Sequence, residues 1–180
     1  MQLAKDLLGC YLIHDTGEEI LSGIIVETEA YMGPDDRAAH SFQNRRTKRT
    51  EIMFHEAGLI YTYQMHTHTL INVVCGEIDT PNAVLIRALE PIEGIEKMKE
   101  HRKQQSIKNL TSGPGKLTKA LNITMSAYGN PFWKPPIYIA LGITPEHISS
   151  GPRIGIENTG EARDYPWRFW ITDNPYISRK

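Results

Sequence analysis

Residues 21–31 read LSGIIVETEAY and predict a long β-strand. β-branched residues, which favour strands, are frequent in this stretch, and from Val26 onward polar and apolar side chains alternate. Gly33-Pro34-Asp35-Asp36 follows almost at once, and such a cluster of turn-forming residues ends a strand sharply. The position of polar groups at the end of this strand indicates that it leads into a functional site.

Around this strand the sequence predicts a mixed fold in which strands dominate. The further predicted strands are residues 11–14, 59–65, 70–75, 83–89, 137–141, 153–157 and 167–172. The predicted helices are residues 3–8, 91–103 and 117–121, and a long polar loop covers residues 32–57. We therefore expect an α+β fold over residues 1–180, a single domain with a curved, mostly antiparallel β-sheet and helices packed on one side.

The 180 residues have a formal net charge of −1, which argues against a protein that coats nucleic acid through bulk charge. No apolar run approaches the roughly 18 residues of a membrane span, so no membrane partner is expected. Residues 1–10 lack the apolar core of a signal peptide and read as a helix already under way, which predicts that the natural chain begins slightly earlier. Cys10 and Cys75 fit no zinc-binding spacing, and a cytoplasmic setting is expected.

The cations are clustered along the chain. Four of them occupy five positions of the predicted loop, at Arg45, Arg46, Lys48 and Arg49. A second group lies on the predicted helix 91–103, at Lys97, Lys99, Arg102 and Lys103. One interpretation is a single basic face that binds a polyanion, and the other is that each cluster is an ordinary solvated surface.

The predicted strand carries two carboxylates and a phenol on one face, because Glu27, Glu29 and Tyr31 are two positions apart. A carboxylate with restricted solvation has a raised pKa or acts as a base that activates water. The alternative is a polar face turned to solvent.

Aromatic residues concentrate near the same strand and loop, at Tyr31, Phe42, Phe54, Tyr61 and Tyr63. Aromatic walls beside a basic loop are typical of a pocket for a stacked nucleobase. Ordinary packing of tyrosines in a sheet is the alternative interpretation.

Two further motifs are weaker. His66-Thr67-His68 places two imidazoles on one strand face, but no third or fourth donor follows at a zinc-binding spacing, so no metal site is predicted. Ser112-Gly113-Pro114-Gly115-Lys116 offers backbone N–H groups and the Lys116 ammonium to a phosphate, or it simply begins a helix.

Taken together, a series of motifs resembles the alkyladenine (3-methyladenine) DNA glycosylase family. They occur in the family's order from Leu7-Leu8-Gly9 to Pro175 and cover nearly the whole chain. They are Glu29-Ala30-Tyr31-Met32-Gly33-Pro34-Asp35-Asp36, Ala38-Ala39-His40-Ser41, Met53-Phe54, Tyr61-Thr62-Tyr63, Asn72-Val73, Leu85-Ile86-Arg87-Ala88-Leu89-Glu90-Pro91, Ser112-Gly113-Pro114-Gly115-Lys116-Leu117 and Arg153-Ile154-Gly155-Ile156.

The resemblance implies a monofunctional DNA repair enzyme that removes alkylated or deaminated purines without metal or cofactor. In this family the damaged nucleotide is flipped from the duplex into an aromatic pocket. By motif, Glu29 is expected to activate the attacking water, and Arg87 to support the carboxylate and the water. Tyr31 is expected to stack on one face of the flipped base.

The same motifs imply the remaining contacts to the base. His40 and Tyr63 are expected on its second face, and the backbone at His40 and Ile154 is expected to probe its edge. Asn72 is expected to occupy the place that the 2-amino group of normal guanine needs. The implied partner is double-stranded DNA that contains damaged purines, bound by a monomer whose basic loop and Lys116 contact phosphates.

One departure from the family pattern concerns the residue that fills the gap left by the flipped base. The family places a tyrosine wedge three residues after the position of Tyr63, but the stretch to Asn72 is one residue shorter here. Counting forward from Tyr63 gives His66, which we slightly favour, and counting back from Asn72 gives Met65. Met is a known intercalating side chain.

Two other classes of function remain open from sequence. One is a non-catalytic protein that binds damaged DNA in the same pocket. The other is a metal-dependent hydrolase built around His66 and His68. Retention of Glu29 favours the glycosylase over the binding protein.

Overall fold

The computed structural model describes residues 1–179, which form three α-helices and eight β-strands. The helices are α1 (Gln2–Asp6), α2 (Ile95–Arg102) and α3 (Pro114–Ala120). The strands are β1 (Tyr11–Asp15), β2 (Ile20–Met32), β3 (Ile60–Met65), β4 (His68–Val74), β5 (Asn82–Glu93), β6 (Ile137–Ala140), β7 (Ile148–Gly151) and β8 (Arg168–Ile171). This confirms the predicted α+β class, and the long strand at residues 21–31 is β2.

Strand β2 organises an eight-stranded antiparallel sheet. The strand order is β3-β4-β5-β2-β1-β6. The antiparallel pair β7–β8 joins this sheet where β8 pairs with β2. β5 lines one edge of β2 along nearly its whole length, whereas β1 pairs with the first half of the other edge and β8 with the Glu27–Glu29 part. Register shifts at Ser22/Gly23 and around Glu27 interrupt the β2–β5 ladder. Such bulges increase the local twist, which is how this sheet becomes curved.

Alternation along the central strands divides the apolar side chains between two cores. On β5, Val84 and Ile86 belong to a core that also contains Met98 of α2 and Leu117 of α3. The intervening Ala83 and Leu85 belong to a core on the opposite face, with Tyr61, Tyr63 and the loop residues Met53 and Phe54. The helices therefore cover one face of the sheet, and residues 33–59 cover the other.

The long loop of residues 33–59 is fastened to the body of the protein. The Asp36 carboxylate is fully buried and forms an ion pair with Arg153, and the Ser41 hydroxyl donates to the Pro81 carbonyl across 2.9 Å. Short 3-10 helices at Phe42–Asn44 and Glu51–Phe54 complete it. These contacts attach the loop to the sheet and to the loop that contains Arg153.

Three predicted elements differ from the structure. The helix predicted from residue 91 begins only at Ile95, because Pro91 pairs with Gly23 and extends β5 to Glu93. The helix predicted over residues 117–121 begins earlier, with Pro114 in its first turn, where its missing N–H costs nothing.

The strand predicted over residues 153–157 is wrong. The neighbouring strand is β7, and residues 153–157 form a loop in which Gly155 adopts φ 79. The Arg153 guanidinium is buried against Asp36 instead of lying on a strand face, and this contact fixes the loop.

Within residues 1–179, no helix is both long enough and apolar enough to span a bilayer.

Candidate active site

A cavity of about 410 Å³ opens on the sheet face opposite the helices. Its walls come from the end of β2, from β3, β4 and β5, and from the loops at residues 38–40 and 154–159, with Met53 and Pro114 at the start of α3 completing them. The predicted site residues among those that line it are Tyr31, His40, Tyr63, Met65, Asn72, Arg87 and Ile154. Segments far apart in the chain therefore meet at one pocket.

Glu29 lies directly behind this pocket wall, with a fully buried carboxylate. Its Oε2 accepts a hydrogen bond from the Tyr31 hydroxyl at 2.8 Å. Its Oε1 accepts one from the Ile154 N–H at 2.8 Å and lies 3.2 Å from Nη1 of Arg87. All three partners line the cavity, so the carboxylate is held at its inner wall.

Burial raises the pKa of Glu29 above its ordinary value, because the charged form loses its hydration. The positive charge of Arg87, the Ile154 N–H and the Tyr31 hydroxyl oppose this effect by stabilising the carboxylate. Burial and the neighbouring Glu29 raise the pKa of Tyr31, so its phenol stays protonated and donates. A buried carboxylate whose ionised form is stabilised by one positive charge and two hydrogen-bond donors is suited to accept a proton from water.

Glu27 is also fully buried, and Arg87 bridges the two carboxylates. Nε of Arg87 donates to Glu27 Oε1 at 3.3 Å, and Arg168 donates to the same oxygen at 3.1 Å. Ser178 supplies two more hydrogen bonds to Glu27. The two carboxylates of β2 are therefore not turned to solvent. Both oxygens of Glu27 are hydrogen-bonded, to Arg87, Arg168 and Ser178, whereas the partners of Glu29 line the pocket.

The aromatic wall is a connected unit. The rings of His40 and Tyr63 meet edge to face with centroids 4.5 Å apart, and His40 Nδ1 lies 2.8 Å from the Tyr61 hydroxyl. Burial, together with the positive charges of Arg49 and Arg45, lowers the pKa of His40 to about 4. The imidazole is therefore neutral near pH 7 and offers an uncharged surface to the cavity.

Asn72 is buried at the pocket with its amide orientation fixed. Its Nδ2 donates to the Tyr61 carbonyl across the β3–β4 ladder at 3.0 Å. Because this bond holds one end of the amide, the side chain forms a rigid part of the cavity wall.

Sequence reasoning missed the buried ion pair between Arg153 and Asp36. Nη2 of Arg153 donates to Asp36 Oδ1 at 2.8 Å, and the guanidinium lies 4.7 Å from the Tyr31 ring centroid and 5.0 Å from that of Trp167. The pair joins the two loops that flank the pocket and supports the back of the Tyr31 ring. Both residues lie within the quoted motifs, but nothing local to either motif indicates that they touch.

The β3–β4 hairpin carries the two candidate wedge residues at its tip. Met65 is 44% exposed and lines the cavity, whereas His66 is in the turn with φ 52, in the left-handed region. The prediction that His66 and His68 share a strand face is wrong, because the chain reverses between them. Among residues 1–179, no group of three or more His, Cys, Asp and Glu side chains is arranged to hold a metal ion.

The four cations of the basic loop differ in their contacts. Arg46 makes two hydrogen bonds to Glu51, the shorter at 2.7 Å, and one to Asp79 at 2.9 Å. Arg49 instead lies over the Tyr63 ring, 5.6 Å from its centroid. Arg45, Lys48 and Arg49 are exposed and, within residues 1–179, form no ion pair.

Several of the other predicted cations form ion pairs or hydrogen bonds. Lys97 pairs with Glu19 and Glu100, and Lys99 pairs with Glu96. Lys116 is half-buried, with Nζ 3.4 Å from the Ser112 hydroxyl, so its expected phosphate contact stays a prediction. Arg45, Lys48 and Arg49 therefore form a group of exposed cations on the loop beside the pocket.

Comparison with known proteins agrees with this geometry. Residues 1–175 match the family model described as methylpurine-DNA glycosylase. Relatives from Bacillus licheniformis and Bacillus subtilis are 64% and 65% identical over 179 residues, which is 99% of this chain and 91% of each relative. One from Oceanobacillus iheyensis is 53% identical and is covered over 90% of its length. All three are named "Putative 3-methyladenine DNA glycosylase".

The match covers Glu29 and its three partners, every strand of the sheet and every residue that lines the pocket. The chain belongs to the methylpurine-DNA glycosylase family.

Proposed function

We propose that the protein hydrolyses the N-glycosidic bond of alkylated or deaminated purines in duplex DNA and leaves an abasic site. The observation that carries this proposal is the buried Glu29 carboxylate, which three pocket-lining groups hold at the inner wall of an aromatic cavity. The names of the relatives, which specify 3-methyladenine, agree with it.

In the proposed reaction Glu29 acts as a general base. It takes a proton from a water molecule, and the water oxygen bonds to the anomeric carbon as the bond from that carbon to the purine nitrogen breaks. The bonding electrons leave with the purine. Arg87 is a positioning residue, because its Nη1 holds Glu29 Oε1 at 3.2 Å and favours the ionised form of the carboxylate.

The pocket supports a preference for electron-poor purines. Tyr31, Tyr63 and a neutral His40 surround the cavity with uncharged ring surfaces. A purine alkylated on a ring nitrogen is cationic, and a cation gains from contact with aromatic faces. Because such a purine is already a good leaving group, one base and tight positioning supply the catalysis that the reaction needs.

Rejection of normal guanine is assigned to Asn72. Its amide is fixed by the bond to the Tyr61 carbonyl, so it does not move away from a 2-amino group that approaches this wall. Steric exclusion by a fixed group distinguishes two bases without any contact to the lesion itself.

Duplex DNA reaches the pocket through flipping of the damaged nucleotide. The exposed hairpin tip at Met65 and His66 and the free cations Arg45, Lys48 and Arg49 border the opening or lie beside it. In the proposed complex a side chain of the hairpin tip enters the base stack, and the three cations contact the phosphates.

No amine nucleophile takes part in the proposed reaction. Among the described residues that line the cavity, none is a lysine. A lyase step requires a Schiff base between an amine and the sugar, so the product should be an intact abasic strand. A protein–DNA adduct trapped by borohydride would contradict this part of the proposal.

The decisive experiment replaces Glu29 with Gln, which keeps the side chain's size and removes the base. Excision of 3-methyladenine, 7-methylguanine, hypoxanthine and ethenoadenine is measured on duplex substrates. We expect excision to be abolished while affinity for damaged duplex stays within about tenfold, because the carboxylate acts on water and does not hold DNA. If the wild-type protein binds these duplexes but releases no base, it is a damaged-DNA binding protein instead.

A further inference from the structure

The closing segment, residues 176–179, folds back over the carboxylate of Glu27. Tyr176 and Ile177 pack against the small core cluster that contains Ile24 and Val26. The Ser178 N–H then donates to Glu27 Oε2 at 2.6 Å, and the Ser178 hydroxyl donates to Glu27 Oε1 at 2.9 Å. The segment therefore satisfies both oxygens of a carboxylate that no solvent reaches.

The same hydroxyl also contacts the guanidinium of Arg87. Nη2 of Arg87 donates to Ser178 Oγ at 3.3 Å, while its Nε donates to Glu27 Oε1 at 3.3 Å. The third nitrogen, Nη1, lies 3.2 Å from Glu29 Oε1. A guanidinium is a rigid planar fork, so fixing two of its nitrogens also fixes the direction of the third.

We propose that Ser178, acting with Glu27, is a positioning residue that aims Arg87 at the Glu29 carboxylate. The inference rests on the proposed role of Glu29 as the base. Ser178 is not a catalytic residue, because it is not among the residues that line the cavity and does not touch Glu29.

A displaced Arg87 should change the ionisation of Glu29 in one direction only. The charge of Arg87 favours the ionised carboxylate, so an Arg87 that swings away leaves the protonated form more stable. The other charged or titratable groups around Glu29 are Glu27, Tyr31, Tyr63, Arg153 and Arg168. Of these groups only Glu27 is bonded to the Ser178 hydroxyl, so the substitution acts on Glu29 through Arg87 and through the Glu27 carboxylate that holds Arg87.

The test compares Ser178→Ala with the wild-type protein in single-turnover excision across a pH series. We expect the chemical step to slow by about tenfold, the size of one hydrogen bond to a charged group. The acid limb of the pH–rate profile should move to higher pH, because the base needs a higher pH to ionise. The concentration of duplex that gives half the maximal rate should stay unchanged.

A matched pair of variants separates the effect of the Ser178 hydroxyl from the effect of side-chain volume. Ser178→Thr keeps the hydroxyl and should show the wild-type rate and acid limb. Ser178→Val has nearly the shape of threonine but no hydroxyl, and it should behave like Ser178→Ala. Asn174→Ala is the control for a loosened segment, because it removes the 2.9 Å bond to Glu90 and leaves the Glu27 network intact. It should leave both the rate and the pH profile unchanged.

The outcomes are distinguishable. If Ser178→Ala and Ser178→Val excise at the wild-type rate with the wild-type acid limb, Ser178 does not position Arg87 and the inference is wrong. Equal losses in Asn174→Ala and Ser178→Ala, with matching losses of melting temperature, would also overturn it. If the wild-type protein itself does not excise damaged purines, it is the proposed function that fails.

Discussion

The Tyr31 hydroxyl donates to Oε2 of Glu29 across 2.8 Å, which makes the pocket-lining phenol and the proposed general base one hydrogen-bonded unit. The two residues are two positions apart on β2, so they share a strand face and a rigid backbone. In the proposed complex, the residue whose ring contacts the flipped purine thereby also helps to stabilise the ionised form of Glu29.

Tyr31→Phe separates these two roles. The ring remains, but the Glu29 carboxylate loses a donor that lowers its pKa, so that pKa rises further. Because the ionised carboxylate is the active form in the proposed reaction, the acid limb of the excision profile should move to higher pH while affinity for damaged duplex is retained. Tyr31→Ala should weaken damage-specific binding as well, and an unchanged acid limb in Tyr31→Phe would show that the hydroxyl does not influence the base.

The wedge prediction now favours Met65, which lines the cavity and is 44% exposed. Met65→Ala should slow excision from duplex DNA far more than excision from a single strand, where little stacking has to be broken. For His66 the informative change is His66→Asn, because asparagine tolerates the left-handed backbone at φ 52 and keeps the turn intact. A duplex-specific loss in His66→Asn but not in Met65→Ala would assign the wedge to His66.

The cations of the basic loop should differ in their effect on salt dependence. Arg45→Ala with Lys48→Ala should weaken damaged and undamaged duplex alike and reduce the salt slope of log affinity by about one unit for each lost phosphate contact. Arg46→Ala is the matched control, because its guanidinium already pairs with Glu51 and Asp79. An Arg46→Ala slope that changed as much as the others would mean that these pairs open when DNA binds.

The buried ion pair between Asp36 and Arg153 should make a large contribution to stability. Asp36→Asn leaves the Arg153 charge buried without a countercharge, which typically costs about 3–5 kcal/mol of unfolding free energy. Urea unfolding measures the loss. Glu161→Gln removes an exposed pair with Arg37 and should have little effect, so equal losses in the two variants would show that burial is not the reason.

Sequence reasoning succeeded where the information is local. The alternation of residues 26–31 predicted β2 and placed Glu29 beside Tyr31, because strand geometry alone determines that face. It failed for the helix predicted from residue 91, where acidic residues and a proline resemble a helix start. Ladder pairing between Pro91 and Gly23 outweighs that local signal.

The missed contacts all join distant parts of the chain. Asp36 and Arg153 are 117 positions apart, and Glu27 and Ser178 are 151 apart. No periodicity links residues at such separations, and each looks like an ordinary surface charge or hydroxyl in the sequence. Only the folded structure shows that they are buried partners: the residues after β8 lie against β2, and the loop that follows β7 lies against the loop that follows β2.

Such long separations in sequence also determine when, during synthesis, the contacts around Glu29 become complete. Glu29 emerges early from the ribosome, but the N–H that holds its Oε1 belongs to Ile154, 125 positions later. At about 5–20 residues per second, roughly 6–25 seconds of synthesis pass between the two. During that interval β2 also lacks the pairing with β8 that covers the Glu27–Glu29 region. Until Ile154 and β8 have been synthesised, a nascent chain therefore carries the Glu29 carboxylate without its complete set of partners.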